Sequence, residues 1–390
     1  MKSLTRIVSI ALLCLALPGQ GELAAQAAPD PNEPRPDRFL SNTRQLTFEG
    51  LRAGEGYFSA DGSRLVFQSE RAPGNPFYQI YELSFETGDT RRISPGYGKT
   101  TCAFVRPGTG EVLFGSTHHD PKSVEYQRAE LELRASGRER RYAWDFDPEM
   151  EIYVAAAAGG DLRRLTTVRG YDAEASYSPD GDWIVFSSTR QAYERELTAD
   201  EARKLETDAS FFAELWLMRA DGSDQRGLTA AAGYDGGPFF TTDGKNIVWR
   251  RFDEDGLIAD IWIMDADGSR QRPVTEFASM SWAPYPHPSG EYLFFTSNKH
   301  GFENFELFIV DLNGTKQPVR VTFTPGFDGL PVPSPDGERL AWTSTRRTKG
   351  GQIFMATWDH EQAVEALRQA PERSRDRASD DVGGPKGGKQ

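Results

Sequence analysis

The chain has little with which to cross-link itself or to cross a membrane. Only two cysteines occur in 390 residues: Cys14 lies in an apolar run near the start, and Cys102 stands alone beyond it. Removal of a leader would leave no pair to form an intrachain disulfide, so stability must come from packing. The apolar run at 7–17 is too short to span a bilayer. Leu13 stands before Cys14 where lipid attachment calls for a small residue. Basic charge is also short, with 45 Lys and Arg against 58 Asp and Glu and a formal charge of -13. That balance excludes the basic face of a nucleic-acid binder. Five histidines are present, and none forms H-E-x-x-H. His360-Glu361 has no second histidine, and His118-His119-Asp120 lacks the further ligand that a zinc site needs. No G-x-S-x-G or P-loop pattern occurs, and Asp253 and Asp255 alternate like part of a calcium loop without its other ligands. No cofactor and no metal are expected, and an enzyme is the less favoured class.

What is abundant is a turn. "SYSPDGDWIVFSSTR" at 176–190 places a tight Pro-Asp-Gly turn before a β-branched and aromatic run, which is the chemistry of a hairpin. Similar stretches begin at 57, 104, 239, 285 and 332, making six copies. Each is trailed by an aliphatic-hydroxyl pair: Ile93-Ser94, Leu165-Thr166, Leu228-Thr229, Val274-Thr275 and Val321-Thr322. Several of these pairs recur about 46 to 47 residues apart, the period of four-stranded propeller blades. The expected fold is therefore all-β, a six-bladed propeller over 43–360. Its last unit runs out of strands after "GQIFMATWD", while "TRQLTF" at 43–48 carries a trailing pair without a blade of its own. The N-terminal strand is expected to complete the sixth blade and so remove exposed edges.

Insertions at about 118–142 and 191–211 fall between second and third strands, where loops can grow without disturbing packing. The latter, in blade 3, spaces Leu197, Ala202 and Leu205 for a short amphipathic helix, with Thr198 and Glu201 set as a capping box. Residues 1–27 have the basic, apolar and small-residue order of a secretory signal peptide, followed by a linker at 28–42. The charged, glycine-rich end at 361–390 is expected to be disordered. Export without disulfides fits a periplasmic or secreted protein, with no transmembrane anchor, and a monomer is expected.

The Ser-Pro-Asp-Gly turn, the "WIVF" strand, the "ADGS" hairpin and the trailing Leu-Thr together resemble the TolB-type, WD40-like repeat known as PD40. "GYDGGPFF", "RRFDEDG" and "NKHGFENFEL" are further similar to propeller modules found beside aminopeptidase-type domains in secreted bacterial proteins. In such a propeller the first hairpins share one face, and the second-to-third loops share the other with the blade connections. That loop face collects Asp172, Asp235 and Asp328, each after Gly-aromatic, either as caps of the inner strands or as an acidic channel mouth. It also collects Arg250, Arg251, Asp253, Asp255, Asn298, Lys299 and His300, read either as solvated pairs or as anchors for a partner. The favoured function is a protein- or peptide-binding scaffold of the cell envelope. The alternative is a hydrolase or lyase with a charged site at the channel mouth. Carbohydrate recognition through Trp282 is a third reading.

Overall fold

The structure, a computed structural model, describes residues 33, 35–138 and 146–373. The expected leader, most of the linker and residues 374–390 lie outside the described residues.

Six four-stranded antiparallel sheets form the six blades. Their inner strands are Ala53–Phe58, Thr100–Val105, Asp172–Tyr177, Asp235–Phe240, Ser281–Pro286 and Asp328–Pro333. Each inner strand touches the next, and the sixth touches the first, so the ring closes. Prolines 238, 284 and 331 fit inside these strands because an inner strand pairs on one side only. The fourth strand of blade 6 is Leu40–Gln45, which pairs with Gln352–Trp358. The chain ends therefore close the ring as expected, through a strand that starts a few residues earlier than 43.

The repeated motifs have local causes. In the turn at 178–181, Ser178 Oγ donates to Asp180 and accepts the Trp183 N–H at 3.0 Å. Asp180 accepts the Asp182 N–H at 3.1 Å, and Gly181 takes φ +75°, a conformation that favours glycine. Ser59, Thr241 and Ser334 repeat the arrangement. The trailing hydroxyl is a latch within each blade. Thr166, Thr229, Thr275 and Thr322 accept the N–H of Ile152, Leu215, Ile261 and Leu307 at 2.9 to 3.0 Å. In blade 6 the latch comes from the other end of the chain: Thr47 accepts the Ile353 N–H at 2.9 Å and donates to Gln352 at 2.7 Å.

The apolar core is a succession of layers between blades, filled by second and third strands such as Phe67, Phe186, Trp249, Phe294 and Trp342. Two insertions carry helices. Helix α1 (Ser123–Ala135) sits in blade 2, where no helix was expected. In blade 3, α2 (Gln191–Glu194) precedes α3 (Ala199–Thr207), which has the anticipated Thr198–Glu201 capping box.

The expectation of disorder from 361 onward fails over its first part. Helix α4 (His360–Gln369) is capped by Asp359, which accepts the Gln362 N–H at 3.0 Å, and it buries Ala363 and Leu367. Beyond it, backbone bonds link Pro371 to Gln317 and Arg373 to Thr315. Charge dominated the composition, but Ala363 and Leu367 at i and i+4 form an apolar stripe that covers Trp358 and its neighbours.

Candidate functional site

The channel is shaped by one bulge repeated six times. The third residue of every inner strand has left-handed φ: Glu55, Cys102, Glu174, Gly237, Ala283 and Leu330, at +51° to +58°. Pairing with the second strand slips at each of these points. The freed N–H groups are taken up across blades. Glu55 N–H goes to Thr343 at 3.0 Å, Leu330 N–H to Thr296 at 3.0 Å and Gly237 N–H to Glu174 at 2.6 Å. Two residues further along, Tyr57, Phe104, Phe239 and Tyr285 converge with ring centroids 4.9 to 6.1 Å apart. Tyr57 and Phe239 come from opposite blades, so these rings plug the channel toward its hairpin face.

Above the plug lies a buried polar throat. Glu174 accepts from Arg250 Nη2 at 2.9 Å, from Gly237 N–H and from the Tyr234 hydroxyl. Arg250 reaches it by passing Gly237, where any side chain would collide with the guanidinium. Burial opposes the Arg250 charge, but Glu174 and nearby hydroxyls outweigh it and hold the group above its usual pKa. Glu55 accepts from Tyr57 at 3.1 Å, Gln68 at 2.8 Å and the Cys102 thiol at 3.6 Å. Burial lifts its carboxyl to about 7; the Cys102 bond opposes that rise and Glu174 adds to it. Burial also pushes the Cys102 thiol well up, which makes it a poor nucleophile.

At the inner-strand starts, three aspartates are locked in buried ion pairs. Asp172 meets Arg190 at 2.5 Å, Asp235 meets Arg251 at 2.6 Å and Asp328 meets Arg346 at 2.6 Å. Trp249 and Trp342 donate their indole N–H groups to the latter two aspartates at 3.0 and 3.1 Å. Burial raises the pKa of Asp172 and Asp328, with the paired arginines pulling the other way. On the loop face between blades 2 and 3 lies an open cleft of about 480 Å³, lined by Lys99, Asp120, Lys122, Tyr126, Phe146, Asp147, Glu149 and Arg169. Phe146 forms part of its wall and packs on Tyr171 at 4.8 Å and on Tyr234 at 5.4 Å, so this ring stands between the cleft and the throat tyrosines.

Residues 212–376 match the family described as TolB beta propeller domain, PD40. Over those residues, under half of the chain, the ring is TolB-like. A TolB homolog of Chlorobium luteolum is 25% identical over 170 residues, covering 40% of this chain and 38% of that protein. An uncharacterized protein of Agrobacterium fabrum is 28% identical over 217 residues, covering 51% and 65%. An uncharacterized peptidase of Bacillus subtilis, YuxL, is 26% identical over 153 residues, covering 35% and 22%. The chain thus spans less than two thirds of each of these relatives. Among solved structures, a TolB of Agrobacterium tumefaciens superposes with a TM-score of 0.54 at 18% identity, over 81% of this chain and 94% of that one. At that identity the likeness shows the fold alone.

The propeller scatters the residues expected at the mouth. Asp172, Asp235 and Asp328 do not form an open acidic rim, because each is 1% exposed or less and paired within its own blade. Arg250 and Arg251 are not loop residues. They end the second strand of blade 4, and β alternation sends the first to the throat and the second to Asp235. Asp253 is exposed and closes its loop by accepting the Leu257 and Ile258 N–H groups at 2.9 and 3.2 Å, and Asp255 is exposed beside it. Asn298 is buried and accepts the Met280 N–H at 2.9 Å. Lys299 donates to the Phe277 carbonyl at 2.6 Å, and His300 stacks on Phe308. Trp282 packs against Phe305 and Phe327. Each set has its own partners, so these side chains do not meet in one pocket. Among the described residues no group of His, Cys, Asp and Glu is placed to hold a metal ion. Sequence reasoning missed the throat acids Glu55 and Glu174. The only signal for them was a charged residue three places into a strand otherwise built for burial.

Proposed function

We propose that this TolB-type propeller is an exported cell-envelope scaffold that binds a protein or peptide partner with its loop face, the leader at 1–27 supplying export. One observation carries the reading. Among the described residues, every large hydrophobic side chain that is exposed lies on the loop face: Phe48, Leu51 and Tyr97 in blade connections, Val124, Tyr126 and Leu131 on α1, and Leu257, Ile258 and Phe302 in second-to-third loops. The hairpin face carries none of them. Exposed apolar side chains gathered on one side mark interaction surfaces, and no helix of the described residues is long and apolar enough to cross a membrane. Dispersal of the charged side chains over separate partners supports a docking surface over a single reactive pocket.

The test is capture from envelope extract with three folded proteins: the parent, a Leu257→Asp/Phe302→Asp variant, and a hairpin-face variant, Asp61→Ala/Asp336→Ala. A partner retained by the parent and the hairpin-face variant but lost by the loop-face variant is the expected result. Equal retention by all three would remove the loop face as the docking surface.

A further inference from the structure

Helix α4 meets the ring through a pair of imidazoles. His287, 2% exposed in the first hairpin of blade 5, lies parallel to His360, the first residue of α4, with 4.7 Å between centroids and 5° between planes. Tyr292 stacks on both, at 4.5 and 5.7 Å. Hydrogen bonds fix the protons on these rings. The Ser289 N–H donates to His287 Nδ1 at 3.1 Å. The hydrogen of the neutral ring therefore sits on Nε2, buried against Gly337 without a hydrogen bond of good geometry. Trp358 donates its indole N–H to the Tyr292 hydroxyl at 2.7 Å, which leaves the hydroxyl hydrogen for His360 Nδ1 at 3.1 Å. Each ring thus offers an acceptor nitrogen, and a proton added there would displace one of these bonds.

No neighbouring group is placed to compensate a charge on His287. In its own hairpin, Glu291 turns to His360 Nε2 at 3.4 Å and is half exposed, which makes it a weak partner. In the blade 6 hairpin, Asp336 binds Ser334 and the Glu338 N–H, Glu338 is exposed, and Arg339 reaches the Gly62 carbonyl at 3.3 Å. From α4, His360 acts on the ring by charge, and a positive charge at that position also opposes the helix N-terminus. Burial holds the His287 imidazole down at about 4, with His360 adding to the fall and the Gly337 backbone opposing it. The helix lies on the strands that close the ring, since Ala363 and Leu367 share a cluster with Trp358, Phe39 and Leu40.

We propose that this stacked pair is an acid-sensitive clasp: with both rings neutral α4 stays docked on the ring closure, and protonation of the pair releases α4 while the blades stay folded. Above pH 6.5 His287 is neutral whether α4 is docked or not, so docking is fully favoured. As pH falls from 6.5 toward 4 the uncovered ring takes up a proton that the covered ring refuses, and docking is lost.

Hydrogen exchange of the full chain at pH 8, 6.5, 5.5 and 5, each corrected for the intrinsic amide rate, reads the clasp. Amides of His360–Gln369 should open about tenfold more readily at pH 5.5 than at pH 8, while the strands Arg64–Ser69 and Asn246–Phe252 stay protected. In His287→Asn the amide oxygen replaces Nδ1 as acceptor and cannot titrate, so the rise should disappear. A flat response in the parent, a rise retained in His287→Asn, or blades that open together with α4 would overturn the proposal. Should His287→Asn lose α4 protection already at pH 8, NMR titration of labelled histidines in the parent decides, with signals assigned from His287→Asn and His360→Asn. A His287 midpoint well below 6.5 while α4 is protected supports the clasp, and an ordinary midpoint near 6.5 sinks it.

Discussion

Glu55 ties the throat to the stability of the whole ring. Its carboxyl ionises near 4.5 in an unfolded chain and at about 7 in the fold, mainly because it is buried. Between those values folding takes up a proton, so the stability linked to this group is fully present below pH 4.5 and is lost as pH rises through 7. At about 1.4 kcal/mol per pH step, the loss amounts to about 3 kcal/mol. Glu55→Gln removes the ionisation while keeping the shape, and all other titrations cancel when parent and variant are compared at the same pH. Urea denaturation at pH 4.5, 6 and 8, with midpoints and slopes fitted separately, gives the comparison. The variant should match the parent or fall slightly below it at pH 4.5, then gain about 2 to 3 kcal/mol relative to it by pH 8. A difference that stays flat across this range would show that Glu55 ionises normally in the fold, and the account of the throat as a desolvated acidic site would be wrong.

Three further outcomes follow from particular contacts. Thr47→Val strips the closing latch, leaving the Ile353 N–H and the Gln352 side chain without their partner, and should cost about 2 to 4 kcal/mol by urea midpoint, whereas Thr47→Ser should spare most of that. Asp328→Asn leaves Arg346 buried beside a neutral group, with Asp37 as its remaining acid, and should cost about 3 kcal/mol, read as a lowered midpoint at unchanged slope. Thr198→Ala removes the α3 cap, an effect of about 1 kcal/mol. Hydrogen exchange should show it as faster opening of α3 alone, with the global midpoint unmoved.

The architecture was legible because it rests on local rules that repeat. A Ser or Thr three residues before a Gly of positive φ makes the turn at 59, 178, 241 and 334, and a hydroxyl after an aliphatic residue makes the latch. Such motifs act over a few residues or one blade, so each copy can be read where it stands. Helix α1 escaped because almost nothing on it is buried beyond Ser123 and Gln127, which leaves no amphipathic period to read. Helix α4 escaped because a charged tail masked a short apolar stripe. The site was misread for a different reason. "RRFDEDG" looks like a polar loop, yet the strand runs to Phe252, so its two arginines take opposite faces.

A comparison of the six copies would have exposed one half of that arrangement. Blades that begin with Asp172, Asp235 and Asp328 also end their second strands within two residues of Arg190, Arg251 and Arg346. Blades that begin with Ala53, Thr100 and Ser281 do not share this Asp–Arg pairing at their inner-strand starts. Co-occurrence within one chain is thus a pairing signal, and it assigns these aspartates to the scaffold. The throat gives no such signal, because Glu55, Cys102, Glu174, Gly237, Ala283 and Leu330 occupy one structural position with five residue types, glutamate alone occurring twice. A scaffold position that repeated packing alone determined would tend toward one residue type, as the latch does. This ring position breaks the six-fold pattern at a level where the inner strands of all blades approach a common axis. That asymmetry is the physical reason the throat acids escape a comparison of the copies, whereas the repeated Asp–Arg pairs at the blade starts do not.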